Sequence, residues 1–115
     1  MNQIMIHGKI TKAAEMKLIT INNEPVPVAV FTVVDIGLPY QNIEPTYFSV
    51  NYPKEQASFI NKYLVENKEV NIYGSMRQKY IKDKNGNRVP HYFVRAEMVE
   101  LLPVFSQTYG ENKND

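Results

Sequence analysis

The sequence predicts an all-β domain with one helix. Before residue 53 and after residue 69, most of the chain alternates apolar with polar residues or is rich in β-branched residues, as strands are. Between these regions, residues 54–66 have apolar side chains at helical spacing. Asn85-Gly86 then marks the turn of a β-hairpin. The predicted order is three strands, one helix and two strands.

The first strand is predicted to begin at Ile4, where apolar and polar residues alternate, and to bend near Gly8. Residues 13–17 either continue this strand or form a helical turn, and the sequence leaves both interpretations open. Residues 22–27 contain two asparagines and two prolines, a composition that predicts a connection.

The next two strands have clearer signals. Residues 28–34 (VAVFTVV) form a continuous β-branched and aromatic run, typical of a strand covered on both faces, as in a small barrel. Residues 46–52 (TYFSVNY) form the third strand, which ends before Pro53. The helix follows over residues 54–66, with Ala57, Ile60 and Leu64 on one stripe.

The last two strands form a long hairpin over residues 69–102. Apolar residues alternate with polar or aromatic ones along both strands, so one face is expected to be buried. The residues assigned to the buried face are Val70, Ile72, Val94, Ala96 and Met98. Five strands with a helix between the third and fourth are the layout of the OB-fold, a five-stranded Greek-key barrel.

The length of 115 residues suits one domain with its own core. We expect this domain to span residues 1–103 and a short polar tail to follow over residues 104–115. The chain contains no cysteine, and neither a secretion signal nor a membrane span is recognisable, so a cytoplasmic location is expected.

Positive charge is concentrated on the hairpin, although the formal net charge of the chain is only +1. Between Val70 and Arg95 lie six basic residues and one acidic residue, interleaved with aromatic side chains. Alternation places Tyr73, Arg77 and Lys79 on one face of the fourth strand, with Tyr80 on the opposite face. Such a surface suits a flexible polyanion that has flat rings, which describes a single-stranded nucleic acid.

The chain also resembles a known family over residues 2–102, the single-stranded DNA-binding proteins of bacterial, plasmid and phage type. Asn2 with IMIHGKIT resembles the opening strand of the family, and VAVFTVV resembles its second strand. YFSVNYPKEQASFINKYLVENKEVNIYGSM resembles the third strand, helix and fourth strand, and YIKDKNGNRVPHYFVRAEMVELL the closing hairpin. The resemblance implies sequence-non-specific binding of single-stranded DNA in replication, recombination, repair or conjugation.

The resemblance and the charge pattern together define a set of candidate nucleic-acid-binding residues. Tyrosine and phenylalanine stand near the positions where the family often has tryptophan, which this chain lacks. The candidates are Lys9, Lys12, Tyr47, Phe48, Tyr52, Tyr73, Arg77, Lys79, Tyr80, Lys82, Lys84, Arg88, Tyr92, Phe93 and Arg95.

Several candidates have a simpler structural interpretation. Phe48, like Phe31 and Phe59, is expected to pack in the core, and the tyrosines can instead pack at a barrel rim or in a subunit interface. Lys82 and Lys84 suit any exposed turn.

The sequence suggests neither catalysis nor a cofactor. His7 and His91 are too isolated to form a metal site, and Glu97 and Glu100 have no nucleophile or histidine beside them. We therefore expect no enzymatic activity, no cofactor and no metal.

The resemblance implies a homo-oligomer, either tetramer or dimer. Many family members end in an acidic tip with an apolar end that recruits replication and repair proteins, whereas this chain ends in ENKND. Two alternative functions remain: a primosomal-type module that binds a protein and single-stranded DNA, and a barrel that recognises protein or carbohydrate without nucleic acid.

Overall fold

A computed structural model describes residues 1–53 and 60–103 and shows five strands that close into a barrel. The strands are β1 (Ile4–Ile21), β2 (Glu24–Asp35), β3 (Thr46–Tyr52), β4 (Glu69–Lys82) and β5 (Arg88–Leu101). Their order around the barrel is β1, β2, β3, β5, β4. The predicted five-stranded all-β architecture is confirmed. The tail at residues 104–115 lies outside the described residues.

β1 is long enough to pair with two different strands. Its first part is antiparallel to β4, and from Lys9 onward it is antiparallel to β2. The change of partner occurs beside Gly8, where a Cβ would lie 2.4 Å from the Val34 carbonyl oxygen. Only glycine permits this close approach of the two backbones. The barrel closes where β3 runs parallel to β5, at Val50 with Val94.

β1 and β2 form a second hairpin that the sequence analysis missed. The predicted connection over residues 22–27 consists of Asn22 and Asn23 alone, with φ angles of 52° and 66°. Asparagine tolerates this left-handed conformation, which a two-residue hairpin turn requires. Residues 13–17 continue β1, so the strand interpretation of these residues is correct and the helical turn is not.

The prolines at 25 and 27 lie in the part of β2 that has no β3 beside it. β2 pairs with β3 only from Ala29 onward, so neither proline removes a hydrogen bond between these two strands.

The predicted helix does not extend over its second half. Residues 54–59 lie outside the described residues, and after Ile60 the chain forms only a 3-10 turn, Asn61–Tyr63. Leu64 then leaves the helical conformation and is fully buried, while its carbonyl accepts a hydrogen bond of 2.9 Å from the amide of Ala14. The prediction that the helix continues to residue 66 is therefore wrong. β1 forms a hydrogen bond with a backbone carbonyl that would pair within the chain's own helix.

The barrel core is apolar and draws on every strand. Its largest fully buried side chains include Phe31, as predicted, together with Ile10, Leu64 and Ile72. Burial of such side chains contributes about 1.5–3 kcal/mol each.

A β-bulge changes which residues of β5 face the core. Tyr73 of β4 lies opposite Met98 while Gly74 lies opposite Ala96, so Glu97 is the extra residue. Beyond this bulge Val99 packs against the core, whereas Met98 is 49% exposed. The prediction that Met98 is buried is wrong, because an extra residue reverses the alternation of inward and outward side chains.

Two hairpins extend beyond the barrel. The β1–β2 arm comprises residues 17–28, which lie beyond the pairing of β2 with β3, and the β4–β5 arm comprises residues 77–93, which lie beyond the pairing of β5 with β3. At the tip of the β4–β5 arm, the Asp83 carboxylate accepts hydrogen bonds from the amides of Asn85 and Asn87, both at 2.9 Å. These contacts hold the predicted Asn85-Gly86 turn in place.

Candidate nucleic-acid interface

The β4–β5 arm has two faces, set by the cross-strand register. On the front face, Arg77 lies opposite Phe93 and Lys79 lies opposite His91. The Lys79 ammonium stands 5.5 Å from the centre of the Phe93 ring, within range of a cation–π contact. The predicted sharing of one face by Arg77, Lys79 and Phe93 agrees with this register.

The back face of the same arm contains the remaining aromatic residues. Tyr80 lies opposite Pro90 and Gln78 lies opposite Tyr92. The Arg88 guanidinium stands 4.3 Å from the centre of the Tyr80 ring. Both tyrosine side chains are more than half exposed. The prediction that Tyr80 and Arg77 lie on different faces of β4 agrees with the register. The candidate binding residues of this arm are therefore divided between its two faces.

An open groove of about 320 Å³ runs between the two arms. It is adjoined by a smaller apolar recess of about 160 Å³ that continues it across β2 and β5. Lys17 and Lys79 supply positive charge from opposite arms, and Phe93 supplies an aromatic ring. The side chains that line the groove and its continuation are Lys17, Leu18, Ile19, Ile21, Val28, Val30, Ser49, Asn51, Pro53, Lys79, His91, Phe93 and Arg95.

Sequence reasoning missed the part of this groove that the β1–β2 arm provides. Lys17 and Ile19 belong to it, as do Ser49 and Asn51 from β3. The signal that could have found the first two is Asn22-Asn23, because an asparagine pair between alternating runs indicates a two-residue hairpin. A hairpin at that point would have placed Lys17 and Ile19 on one face of a projecting arm.

A second recess of about 730 Å³ lies near the amino terminus. It is lined by residues 1–5 and by Tyr73, Ser75, Arg77 and Glu97. The Arg77 side chain donates a hydrogen bond of 3.0 Å to the Ser75 hydroxyl. Arg77 and Tyr73 therefore line a surface adjacent to the groove, and neither is among the side chains that line the groove itself.

The Arg95–Glu97 ion pair stands between the groove and this recess. Arg95 Nη1 donates to Glu97 Oε2 at 2.6 Å, and both side chains are nearly half exposed. Arg95 lines the continuation of the groove, whereas Glu97 lines the amino-terminal recess.

The aromatic candidates of β3 are placed unequally. Tyr52 is only 6% exposed and belongs to the core cluster, and Phe48 is half-buried and packs against that cluster. A buried ring offers no free face to a base, so this structure does not support the predicted stacking by Tyr52. Tyr47 is 65% exposed and remains available.

The remaining basic candidates lie away from the groove floor. Lys9 lies opposite Glu69 on the barrel wall, and Lys12 is exposed further along β1. Neither lines the groove or the amino-terminal recess. Lys82 and Lys84 are exposed at the tip of the β4–β5 arm, where they extend its positive charge.

Within residues 1–53 and 60–103, no group of three or more histidines or carboxylates is placed to hold a metal ion. None of the helices in this part of the chain is long and apolar enough to cross a membrane.

Comparison with known proteins places the chain in a family. The model of the Single-strand binding protein family (SSB) matches residues 1–102. A solved structure described as Plasmodium falciparum SSB in complex with ssDNA has a TM-score of 0.71 and 15% sequence identity. The similarity covers 90% of this chain and 96% of that one. No curated protein matches. The barrel is thus an OB-fold, and the chain belongs to the single-strand binding protein family.

Proposed function

We propose that this protein binds single-stranded DNA without sequence preference, along the groove between its two arms. The observation that carries this proposal is the composition of the groove walls. Lysines stand on both arms, and an aromatic ring and several apolar side chains lie between them. Phosphates and unpaired bases are the two features that a single strand offers at every nucleotide.

Binding would combine two physical contributions. Lys17, Lys79 and Arg95 would neutralise phosphates and release the counterions condensed on the strand, which favours binding at low salt. Phe93 would stack on a base, and the apolar side chains beside it would cover the rest of the ring. Neither contribution depends on base identity, so we expect little sequence preference.

The back face of the β4–β5 arm would extend this interface for longer strands. Tyr80 and Tyr92 are exposed there, and Arg88 stands over the Tyr80 ring. Arg77 and Tyr73 in the amino-terminal recess offer a second direction for the strand to continue. The other candidates that we retain at the margin of the interface are Lys9, Lys12, Tyr47, Phe48, Lys82 and Lys84.

Such binding would serve replication, recombination, repair or conjugation, by covering single strands as a homo-oligomer. Family membership supports these roles. A primosomal-type module that also holds a partner protein is the second candidate. The exposed tyrosines of the back face favour it, because exposed aromatic residues are also enriched in protein interfaces.

A titration with oligo-dT, duplex DNA and single-stranded RNA of equal length, at two salt concentrations, tests this proposal. We expect oligo-dT to bind most tightly and to lose affinity as salt rises. Duplex DNA should bind more weakly, because its bases are not free to stack on Phe93. Equal affinity for duplex and single strand, or no binding at low salt, would contradict the proposal.

A further inference from the structure

Glu97 lies among basic residues on the proposed interface. It occupies the bulge of β5 and lies two residues from Arg95, on the same outer face of the strand. Its carboxylate accepts a hydrogen bond from Arg95 at 2.6 Å. It also lines the recess that contains Arg77. Because the carboxylate is in direct contact with the Arg95 guanidinium, it opposes above all a phosphate that approaches Arg95.

We propose that Glu97 limits the affinity of the groove for single-stranded DNA by competing with phosphate for Arg95. This inference rests on the proposed function of the groove. Arg95 is the arginine of the groove continuation, so a phosphate that reaches it meets a guanidinium already bound to a carboxylate. The phosphate must displace that carboxylate or share the guanidinium with it. Either event reduces the gain in free energy from the new contact.

The salt dependence of binding follows from the same competition. While Glu97 is bound to Arg95, its carboxylate cancels part of the positive charge that the guanidinium offers to a phosphate, so the contact releases less than a full counterion from the DNA. Glutamine at this position leaves the whole charge of Arg95 to the phosphate. The slope of log affinity against log salt should therefore become steeper, by at most about 0.7, the value for one phosphate on a single strand.

The opposite effect of the pair is also physically possible. A carboxylate can hold an arginine side chain in the orientation that a phosphate needs, and Glu97 would then raise the affinity. In the variant Glu97→Gln, competition predicts a higher affinity for DNA and positioning predicts a lower one. Measuring the affinity of this one variant therefore separates the two effects.

Glu100→Gln provides a matched control. Glu100 is exposed on the same strand and accepts a hydrogen bond of 2.9 Å from the Asn71 amide, which glutamine can also accept. It lies opposite Asn71, whereas Arg95 lies opposite Ser75, five residues away along β5. Both substitutions change the net charge equally. A gain in affinity that comes from net charge alone would appear in both variants.

The experiment measures fluorescence anisotropy of labelled oligo-dT with the full chain at several salt concentrations. It compares wild type, Glu97→Gln, Glu100→Gln, Arg95→Gln and the double variant of residues 95 and 97. We expect Glu97→Gln to bind about three- to tenfold more tightly, with the steeper slope. Glu100→Gln should change affinity less than about twofold. The gain should vanish in the Arg95→Gln background, which is compared at low salt because binding is tightest there.

Three results would overturn the inference while leaving the proposed function intact. Weaker binding by Glu97→Gln would show that Glu97 positions Arg95. An equal gain in Glu100→Gln would show an effect of net charge. A gain that persists without Arg95 would show that Glu97 acts elsewhere. Failure of wild type to bind oligo-dT would instead contradict the proposed function itself, and circular dichroism of each variant controls for folding.

Discussion

Two lysine–aromatic contacts among the described residues allow the role of one charged residue to be isolated. Lys79 stands over Phe93 in the groove, and Lys62 stands 5.2 Å from the Tyr63 ring outside it. We expect Lys79→Ala to weaken oligo-dT binding by about 1 kcal/mol and to flatten the salt slope by about 0.7, because one phosphate contact is lost. Lys62→Ala removes the same charge and should do neither. Equal effects of the two substitutions would contradict a role for the groove.

The same pair of sites tests stacking. Phe93→Leu keeps an apolar side chain in the groove but removes the flat ring, so oligo-dT binding should weaken by about 1–3 kcal/mol. The control is Tyr63→Leu, at a ring that is half exposed but outside the groove. Tyrosine fluorescence cannot report on Phe93, so affinity should be measured with labelled DNA. An unchanged affinity for Phe93→Leu would show that binding depends on charge alone.

Individual residues were predictable where one strand alone determined their position. Alternation along β4 correctly placed Arg77 and Lys79 on the face opposite to Tyr80. Tyr52 illustrates the limit: alternation along β3 cannot tell which face points inward when both faces contain aromatic residues. The closure of β3 against β5 decides that question, and it depends on pairing between distant parts of the chain.

At the scale of elements, residues 60–68, the described part of the connection between β3 and β4, pack against the barrel core through Leu64. Leu64 is fully buried there, whereas its neighbour Val65 is 46% exposed. We expect Leu64→Ala to lower the free energy of unfolding by about 2–5 kcal/mol, because a large buried side chain leaves a cavity. Val65→Ala should cost less than about 1 kcal/mol. Urea denaturation measures both values, and similar losses would show that Leu64 contributes no more to the core than an exposed valine.

The elements themselves were predictable to differing degrees. The end of β3 was predictable because a proline follows it, and the β4–β5 hairpin was predictable from its Asn-Gly turn. The structure agrees with both predictions. The stripe of Ala57, Ile60 and Leu64 correctly indicated burial of Leu64 but not its conformation. Hydrogen bonds from β1 to residues 64 and 68 override the helical period, and local sequence contains no trace of them. The bulge at Glu97 likewise arises from pairing with Tyr73 and Gly74.

At the scale of the whole molecule, the groove joins two parts of the chain that are far apart in sequence. Lys17 and Ile19 form one wall, and Lys79, His91 and Phe93 form the other. Both arms extend beyond the core, and all side chains of β4 from Arg77 onward are exposed. Amides in such arms are expected to exchange with solvent faster than those in the barrel, because fewer buried contacts resist local opening.

A strand of DNA lying in the groove must therefore protect both arms together. Hydrogen exchange followed by mass spectrometry, with and without saturating oligo-dT, should show slower exchange in residues 17–22 and in residues 77–93. Residues 31–35 of β2, which line neither the groove nor the amino-terminal recess, serve as the internal control and should change little. Protection confined to residues 77–93 would mean that the strand binds the back face of the β4–β5 arm alone, and the groove between the arms would no longer be the site.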